Sequence, residues 1–105
     1  MKKEKFIELE HPGAVLKEEF LIPYAITPYR LAKTISVSPM TISKLINGKT
    51  SFTANIDLRL AKFFGMSEGF WMNMQALYDR RKVKRDLESE LKKIIPLEKK
   101  EALIA

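Results

Sequence analysis

Residues 27–50, TPYRLAKTISVSPMTISKLINGKT, decide the fold because they contain two helix starts of the same kind, one short helix apart. In the first start, Thr27 can cap free backbone N–H groups, and Pro28 has the fixed φ that suits the first position of a helix. Ser38 and Pro39 repeat that pair. The spacing therefore predicts two short helices in succession.

Apolar positions inside this stretch indicate which faces of the two helices point inward. They stand at helical spacing and are Leu31, Ala32 and Ile35 in the first helix and Ile42, Leu45 and Ile46 in the second. Ser36 and Val37 fill the turn, and Asn47 with Gly48 provides a left-handed stop. Two short helices joined by a tight turn are typical of a helix-turn-helix, although an ordinary helical hairpin can share the pattern.

Capping signals predict helices in the rest of the chain as well. Pro12 opens a first helix that ends at Pro23, Thr53 and Gly65 delimit a fourth, and Ser67 caps a fifth. The inner faces of these three helices are predicted to be Val15, Leu16, Phe20 and Leu21, then Ile56, Leu60, Phe63 and Phe64, then Phe70, Met74, Leu77 and Tyr78. We therefore expect an all-α body of five helices with a C-terminal helical extension.

The domain organisation is predicted to be an arm at 1–10, a helical domain at 11–96 and a tail at 97–105. Large side chains at Phe70 and Trp71 are expected to fill the core beneath the helix-turn-helix, with an interface as the alternative. A second amphipathic set runs up to Pro96 and consists of Leu87, Leu91, Ile94 and Ile95. This set can dimerise, bind another partner or fold back on the body.

Composition limits the function. The net charge of +6 and pI near 9.6 favour a polyanionic partner such as nucleic acid. Cysteine is absent, the only histidine is His11, and no glycine-rich phosphate loop exists, so neither a metal cluster nor a nucleotide site is expected. Adjacent Glu18 and Glu19 point in different directions on a helix, which is wrong for paired acid–base catalysis. We predict a protein that is not an enzyme, uses no cofactor, lacks a membrane span and stays in the cytoplasm.

Four segments resemble the HigA-type antitoxins, a branch of the lambda-repressor-like (XRE/Cro-CI) helix-turn-helix family. They are HPGAVLKEEFL at 11–21, the helix-turn-helix ending in NGKT at 47–50, DLRLAKFFG at 57–65 and FWMNMQALYD at 70–79. The resemblance implies a five-helix lambda-repressor-like domain that binds a double-stranded DNA operator as a homodimer. It also implies a RelE-like (HigB-type) ribonuclease toxin as partner. Ser36 departs from the pattern because the family usually has a turn glycine there.

Docking of the second helix in the major groove singles out the residues that could touch DNA. The base-reading candidates are Pro39, Met40, Thr41, Ser43, Lys44 and Asn47, and the phosphate-binding candidates are Thr27, Arg30, Lys33, Lys49, Thr50 and Ser51. Lys44 can donate to guanine, whereas Met40 and Pro39 can make only apolar contacts. Since the reader has few bidentate side chains, we expect moderate specificity completed by phosphate contacts and DNA shape.

Several assignments stay open at the level of sequence. The basic run at 80–85, with Arg80, Arg81, Lys82, Lys84 and Arg85, is compatible with a second electrostatic footprint, a solvated helix face or a toxin contact. Arg59 is expected to form an intrachain ion pair, and His11 to cap or dock a helix. Three functions remain: an antitoxin and autorepressor, a stand-alone repressor without a toxin, and an interaction module that no longer reads DNA.

Overall fold

The computed structural model describes residues 10–98, and all regular structure in that range is helical. Helix α1 begins as the α-helical turn Pro12–Val15 and continues as the π-helical segment Leu16–Leu21. The following helices are α2 Pro28–Thr34, α3 Pro39–Ile46, α4 Ala54–Phe64, α5 Phe70–Asp86 and α6 Glu88–Lys92. The predicted all-α class is confirmed, with α1–α5 as the body and α6 in the extension. Phe6, Ile7 and Leu9 of the predicted arm lie outside the described residues.

The core lies where α1 through α5 meet around one tryptophan. Trp71 is fully buried, stacks on Phe52 with ring centroids 5.2 Å apart, and meets the Phe20 ring edge-on at 5.1 Å. The prediction that Trp71 fills the core is confirmed. The matching prediction for Phe70 is wrong, because that side chain is 38% exposed. The most buried residues of α5 are Trp71 and Gln75, and the other predicted inner residues, Met74, Leu77 and Tyr78, are half-buried as expected for that face.

The start of α5 also differs from the prediction. Ser67 was the expected cap, but the N-cap is Gly69, whose φ is 95° and which has no side chain to offer. The free N–H groups instead donate to the buried carboxylate of Asp57 in α4, from Gly69 at 2.6 Å, Trp71 at 2.8 Å and Met72 at 3.3 Å. A cap supplied by another helix has no local spacing, so the prediction of Ser67 fails.

Four helical segments end in the same left-handed closure. The residue with positive φ is Ala25 after α1, Ser36 after α2, Gly48 after α3 and Gly65 after α4. In each, the next residue donates its N–H to the carbonyl five residues earlier, at 2.8 or 2.9 Å, which is the Schellman arrangement. The predicted stops at Gly48 and Gly65 are confirmed. Ala25 and Ser36 adopt the same conformation without being glycine.

The extension leaves the body after α5. Every side chain from residue 79 to 98 is exposed, so the apolar set at Leu87, Leu91, Ile94 and Ile95 does not fold back on the described body. The prediction of helix up to Pro96 is wrong beyond Lys92, because Ile94 and Ile95 follow the end of α6. None of the described helices has the length and apolarity that crossing a membrane requires.

Candidate nucleic-acid interface

Both helices of the helix-turn-helix begin with the predicted caps. The Thr27 hydroxyl accepts a hydrogen bond from the Arg30 N–H at 3.0 Å, and the Ser38 hydroxyl accepts one from the Thr41 N–H at 3.1 Å. The Ser38 and Thr41 hydroxyls also bond each other at 2.9 Å. These bonds fix where α2 and α3 start, and hence the turn of residues 35–38 that separates them.

Arg59 of α4 holds that turn from the side. Its Nη1 donates to the carbonyl of Ile35 at 2.7 Å and to that of Ser36 at 3.4 Å, while its Nε donates to Asn55 Oδ1 at 2.6 Å. The predicted ion pair is wrong, since the partners of Arg59 in the described chain are neutral oxygens. A guanidinium suits this position because the last carbonyls of a helix carry a partial negative charge.

The HPG segment, residues 11–13, packs against the C-terminal end of α3 and holds it in place. A Cβ on Gly13 would lie 1.8 Å from the carbonyl oxygen of Leu45, so only glycine allows α1 to approach α3 this closely. His11 Nδ1 accepts the Gly13 N–H at 2.8 Å, and its ring meets Tyr78 of α5 edge-on at 5.2 Å. The capping and docking role predicted for His11 is confirmed.

The pKa of His11 is lowered, chiefly because burial disfavours the imidazolium. The carboxylate of Asp79 raises the pKa, and the ammonium of Lys82 lowers it further. The neutral ring is the form that can accept the Gly13 N–H. Protonation of His11 therefore opposes the clamp on α3.

The outer face of α3 carries the side chains that could reach base edges. Ile42 and Leu45 are fully buried, which turns the opposite side of the helix outward. That side presents Met40, Ser43, Lys44 and Asn47, all exposed. Of the other two predicted base readers, Pro39 is exposed at the first turn, and Thr41 is half-buried with its hydroxyl on Ser38.

Asn47 is engaged with α3 itself. Its amide nitrogen donates to the Ser43 carbonyl at 2.9 Å and lies 3.4 Å from the Ser43 hydroxyl. Bidentate pairing with an adenine, which uses both the amide nitrogen and oxygen, requires this side chain to rotate. Lys44 is therefore the side chain on this face best placed to donate to a base.

The predicted phosphate-binding residues lie in two exposed groups. Thr27, Arg30 and Lys33 belong to α2 or its cap, and the Lys33 ammonium lies 5.6 Å from the centre of the Tyr29 ring. Lys49, Thr50 and Ser51 form the loop that follows α3. The Thr27 hydroxyl accepts the α2 cap bond through its oxygen, which leaves its O–H to donate to a phosphate.

Gln75 fixes the loop after α3 from inside and was missed by sequence reasoning. It is buried, its Oε1 accepts the Phe52 N–H at 3.0 Å, and its Nε2 donates to Asp79 Oδ1 at 3.1 Å. The available signal was its place on α5, four residues after Trp71 and so on the same face. The loop that carries Lys49 thus rests on a buried polar bond to α5.

This architecture is that of a helix-turn-helix protein that reads DNA, and a family model described as Helix-turn-helix matches residues 18–71. The chain therefore belongs to the helix-turn-helix family of DNA-binding proteins. Its resemblance to HigA antitoxins is confirmed by Antitoxin HigA-1 of Vibrio cholerae serotype O1, which is 38% identical over 85 residues, 81% of this chain and 80% of that protein. Virulence-associated protein I of Dichelobacter nodosus is 39% identical over 87 residues, 83% of this chain and 80% of that protein.

A solved structure agrees with these relatives. The Pseudomonas aeruginosa antitoxin HigA, determined with the higBA promoter, matches with a TM-score of 0.81 at 31% identity, over 86% of this chain and 99% of that chain. That protein and the two relatives above are named as antitoxins or a virulence-associated protein, and none is named as an enzyme.

Proposed function

We propose that the protein is an antitoxin that binds its own operator as a homodimer, represses its operon and neutralises a RelE-like (HigB-type) toxin in the cytoplasm. The observation that carries the DNA-binding part is the outer face of α3. It presents Met40, Ser43, Lys44 and Asn47 to solvent while Ile42 and Leu45 anchor the helix. A clamp at each end, Arg59 at the turn and the HPG segment at the C-terminal end, holds that face in one orientation.

At the DNA, α3 lies in the major groove and Lys44 donates to guanine O6 or N7. The hydroxyls of Ser43 and Thr41 pair with base edges or phosphates, and Met40 and Pro39 contact thymine methyl groups. Phosphates are held by Thr27, Arg30 and Lys33 on one side and by Lys49, Thr50 and Ser51 on the other. Because one lysine is the main donor to bases, phosphate contacts and DNA shape supply much of the affinity.

The toxin and the dimer are supported by the extension and by the relatives. Leu87, Leu91 and Ile94 are exposed beyond the body, which is unfavourable for a chain that works alone. Two of the similar proteins are named as antitoxins. A surface separate from α3 allows DNA and toxin to be bound by different parts of the chain.

The DNA-binding proposal is tested by selecting a duplex from a randomised pool with the wild-type protein and then footprinting it. We expect two protected half-sites about one DNA turn apart. A dimer touching roughly 6–10 phosphates loses on the order of 10³–10⁵ in affinity between 50 and 200 mM salt. Lys44→Ala should relax preference at one base pair, whereas Lys49→Ala should weaken all sequences similarly. Selection of no consensus, with a flat salt response, would refute operator binding.

The toxin proposal is tested by growth of cells that express the small gene product encoded beside this one. Wild-type protein should restore growth and co-purify with that product. Replacing Ser43 and Lys44 together by glutamate should abolish repression, by placing negative charge against DNA, and leave the rescue of growth intact. If the neighbouring product is not toxic, or is neither bound nor neutralised, the stand-alone repressor replaces the antitoxin.

A further inference from the structure

One face of α5 continues past the body. Trp71, Gln75 and Tyr78 lie on the stripe that packs inward, and helical spacing places Lys82, four residues after Tyr78, on the same stripe. Lys82 is exposed, and its ammonium lies 5.9 Å from the centre of the Tyr78 ring. Lys84, two residues further on, lies on the opposite side of the helix.

The loop after α3 lies beside this stripe. The Phe52 N–H donates to Gln75, and a Cβ at Gly48 would lie 3.4 Å from the ring of His11, which in turn contacts Tyr78. The two ends of the loop that carries residues 49–51 are thus both fixed against the Gln75–Tyr78 turn of α5. The charge of Lys82 also reaches His11, whose pKa it lowers.

These contacts allow the separation along α5 between the loop, which is bonded to Gln75, and Lys82 of the basic run to be estimated. Lys82 follows Gln75 by seven residues, roughly 10 Å along the axis of α5. One strand of DNA presents a phosphate about every 3.4 Å along its own axis, so this separation corresponds to roughly three nucleotides. With α5 running along the phosphate strand, an extended Lys82 side chain reaches a phosphate neighbouring those at residues 49–51.

We propose that Lys82 binds a backbone phosphate flanking the operator half-site, so that α5 extends the DNA footprint beyond the helix-turn-helix. The inference rests on the proposed operator binding. On this face the Lys82 charge acts on Tyr78 and His11, and the Asp79 carboxylate one turn before it is held by Gln75. Helical spacing places Arg85 and Asp86 one turn after Lys82, so the charges flanking it in α5 are of both signs. DNA is favoured over an acidic protein partner because the loop held against the preceding turns of α5 is itself predicted to bind phosphate.

The test compares two lysines of the same helix on two lengths of the selected duplex. One duplex ends at the half-sites defined by footprinting, and the other has about six additional base pairs on each side. For one phosphate, the slope of log affinity against log salt is about −0.9, which corresponds to up to roughly an eightfold effect at 0.1 M salt. Lys82→Ala should lower affinity for the long duplex by that order per protein copy, and should flatten its salt slope by about 0.9 per copy. Lys84→Ala should lower the affinity less than twofold and should change the salt slope by much less than about 0.9 per copy.

The remaining arms separate the possible failures. On the trimmed duplex, wild type and Lys82→Ala should bind alike, and Lys82→Arg should restore binding to the long one. Equal losses for Lys82→Ala and Lys84→Ala would overturn the proposal, because general electrostatic attraction then explains both. No loss in Lys82→Ala, while Lys44→Glu still abolishes binding, overturns this inference and leaves operator binding standing. No DNA binding by the wild type removes both proposals. Thermal unfolding of Lys82→Ala should match the wild type, since the side chain is exposed.

Discussion

The two halves of α5 differ in burial and in charge. In the first half, Trp71 is fully buried, Gln75 bonds to the loop after α3, and three N–H groups of the α5 start region bond to Asp57. In the second half, from residue 79 to Asp86, every side chain is exposed. One continuous helix is thus packed into the core at its N-terminal half and exposed and charged at its C-terminal half.

This difference separates stability from interaction along a single element. Burial and satisfied polar groups in the first half contribute to the free energy of unfolding. The second half carries five exposed basic residues, whose charges act more directly on polyanion binding than on folding. Substitutions on the two sides of Tyr78 should therefore affect different measurements.

The largest effect on stability is expected at Trp71. Trp71→Ala should lower the free energy of unfolding by about 3–5 kcal/mol, because it removes a large buried ring and leaves a cavity. The matched change Val83→Ala, in the exposed half of α5, should alter it by less than about 0.5 kcal/mol. Urea unfolding followed by circular dichroism measures both. Comparable losses at the two sites would show that the second half is packed in solution.

A milder variant keeps this test usable if Trp71→Ala does not fold. The indole Nε1 of Trp71 is buried with no hydrogen-bond partner among the described residues. Trp71→Phe removes that unpaired donor and leaves a smaller cavity. It should therefore cost less than Trp71→Ala while still exceeding Val83→Ala.

The next largest effect is expected at Asp57. Asp57→Asn should lower the free energy of unfolding by about 1–3 kcal/mol, because its amide cannot accept all three N–H bonds and brings a donor toward them. Asp86→Asn, which removes the same charge from the exposed half of α5, is the control. If the two variants unfold at the same urea concentration, the Asp57 cap is not a source of stability.

Sequence patterns predicted the elements whose signals are local. The caps at Thr27, Ser38 and Thr53 and the stop at Gly48 depend on residues next to one another, and the structure has all of them. Contacts between distant parts of the chain were missed. The Asp57 cap spans 12 to 15 residues, and the Arg59 bonds to the α2 end span 23 and 24.

The candidate site follows the same division. The outward residues of α3 could be predicted because Ile42 and Leu45 fix the phase of one helix. The support beneath the loop after α3 could not, because the Phe52–Gln75 bond joins residues 23 apart. The roles of the twelve candidate DNA-contacting residues stay predictions until binding is measured.

Ser36, the residue with positive φ in the turn of the helix-turn-helix, gives a smaller effect on the free energy of unfolding, and of opposite sign. Ser36 has a φ of 60°, a conformation that disfavours side chains with a Cβ. Ser36→Gly should therefore raise the free energy of unfolding by about 0.5–1 kcal/mol, the strain being partly offset by glycine's greater freedom in the unfolded chain. The reverse change, Gly65→Ser, is the control, since a Cβ there meets open space and only the backbone conformation is tested. Stabilisation by both, or by neither, would contradict the argument from φ.

A pH effect is expected at the boundary between the two halves, where His11 meets Tyr78. Because the pKa of His11 is lowered in the folded protein from 6.5, the unfolded chain binds the proton more tightly. The stabilising contribution of neutral His11 is present above pH 6.5 and is lost as the pH falls through the lowered folded value. Unfolding between pH 5 and 8 should show this loss, and His11→Ala, which leaves no histidine, should show a flatter profile. This pH-dependent change in the free energy of unfolding should be smaller than the changes at Trp71, Asp57 and Ser36, because the His11 ring is only half-buried.

The smallest change in stability is expected in the extension. Ile94 and Ile95 are 66% and 85% exposed, and Leu91 is exposed on α6, so their apolar surface is not buried by the described body. Replacing Leu91 and Ile94 together by serine should shift the free energy of unfolding by less than about 0.5 kcal/mol.

If the extension binds the toxin, the same variant should lose co-purification with it and rescue of growth while keeping operator binding. Sedimentation separates this outcome from loss of the dimer, which would also weaken binding to paired half-sites. A clear drop in the free energy of unfolding at unchanged dimerisation would mean that the extension packs on the body. The exposed, charged part of the chain would then be limited to the second half of α5 and would not include α6.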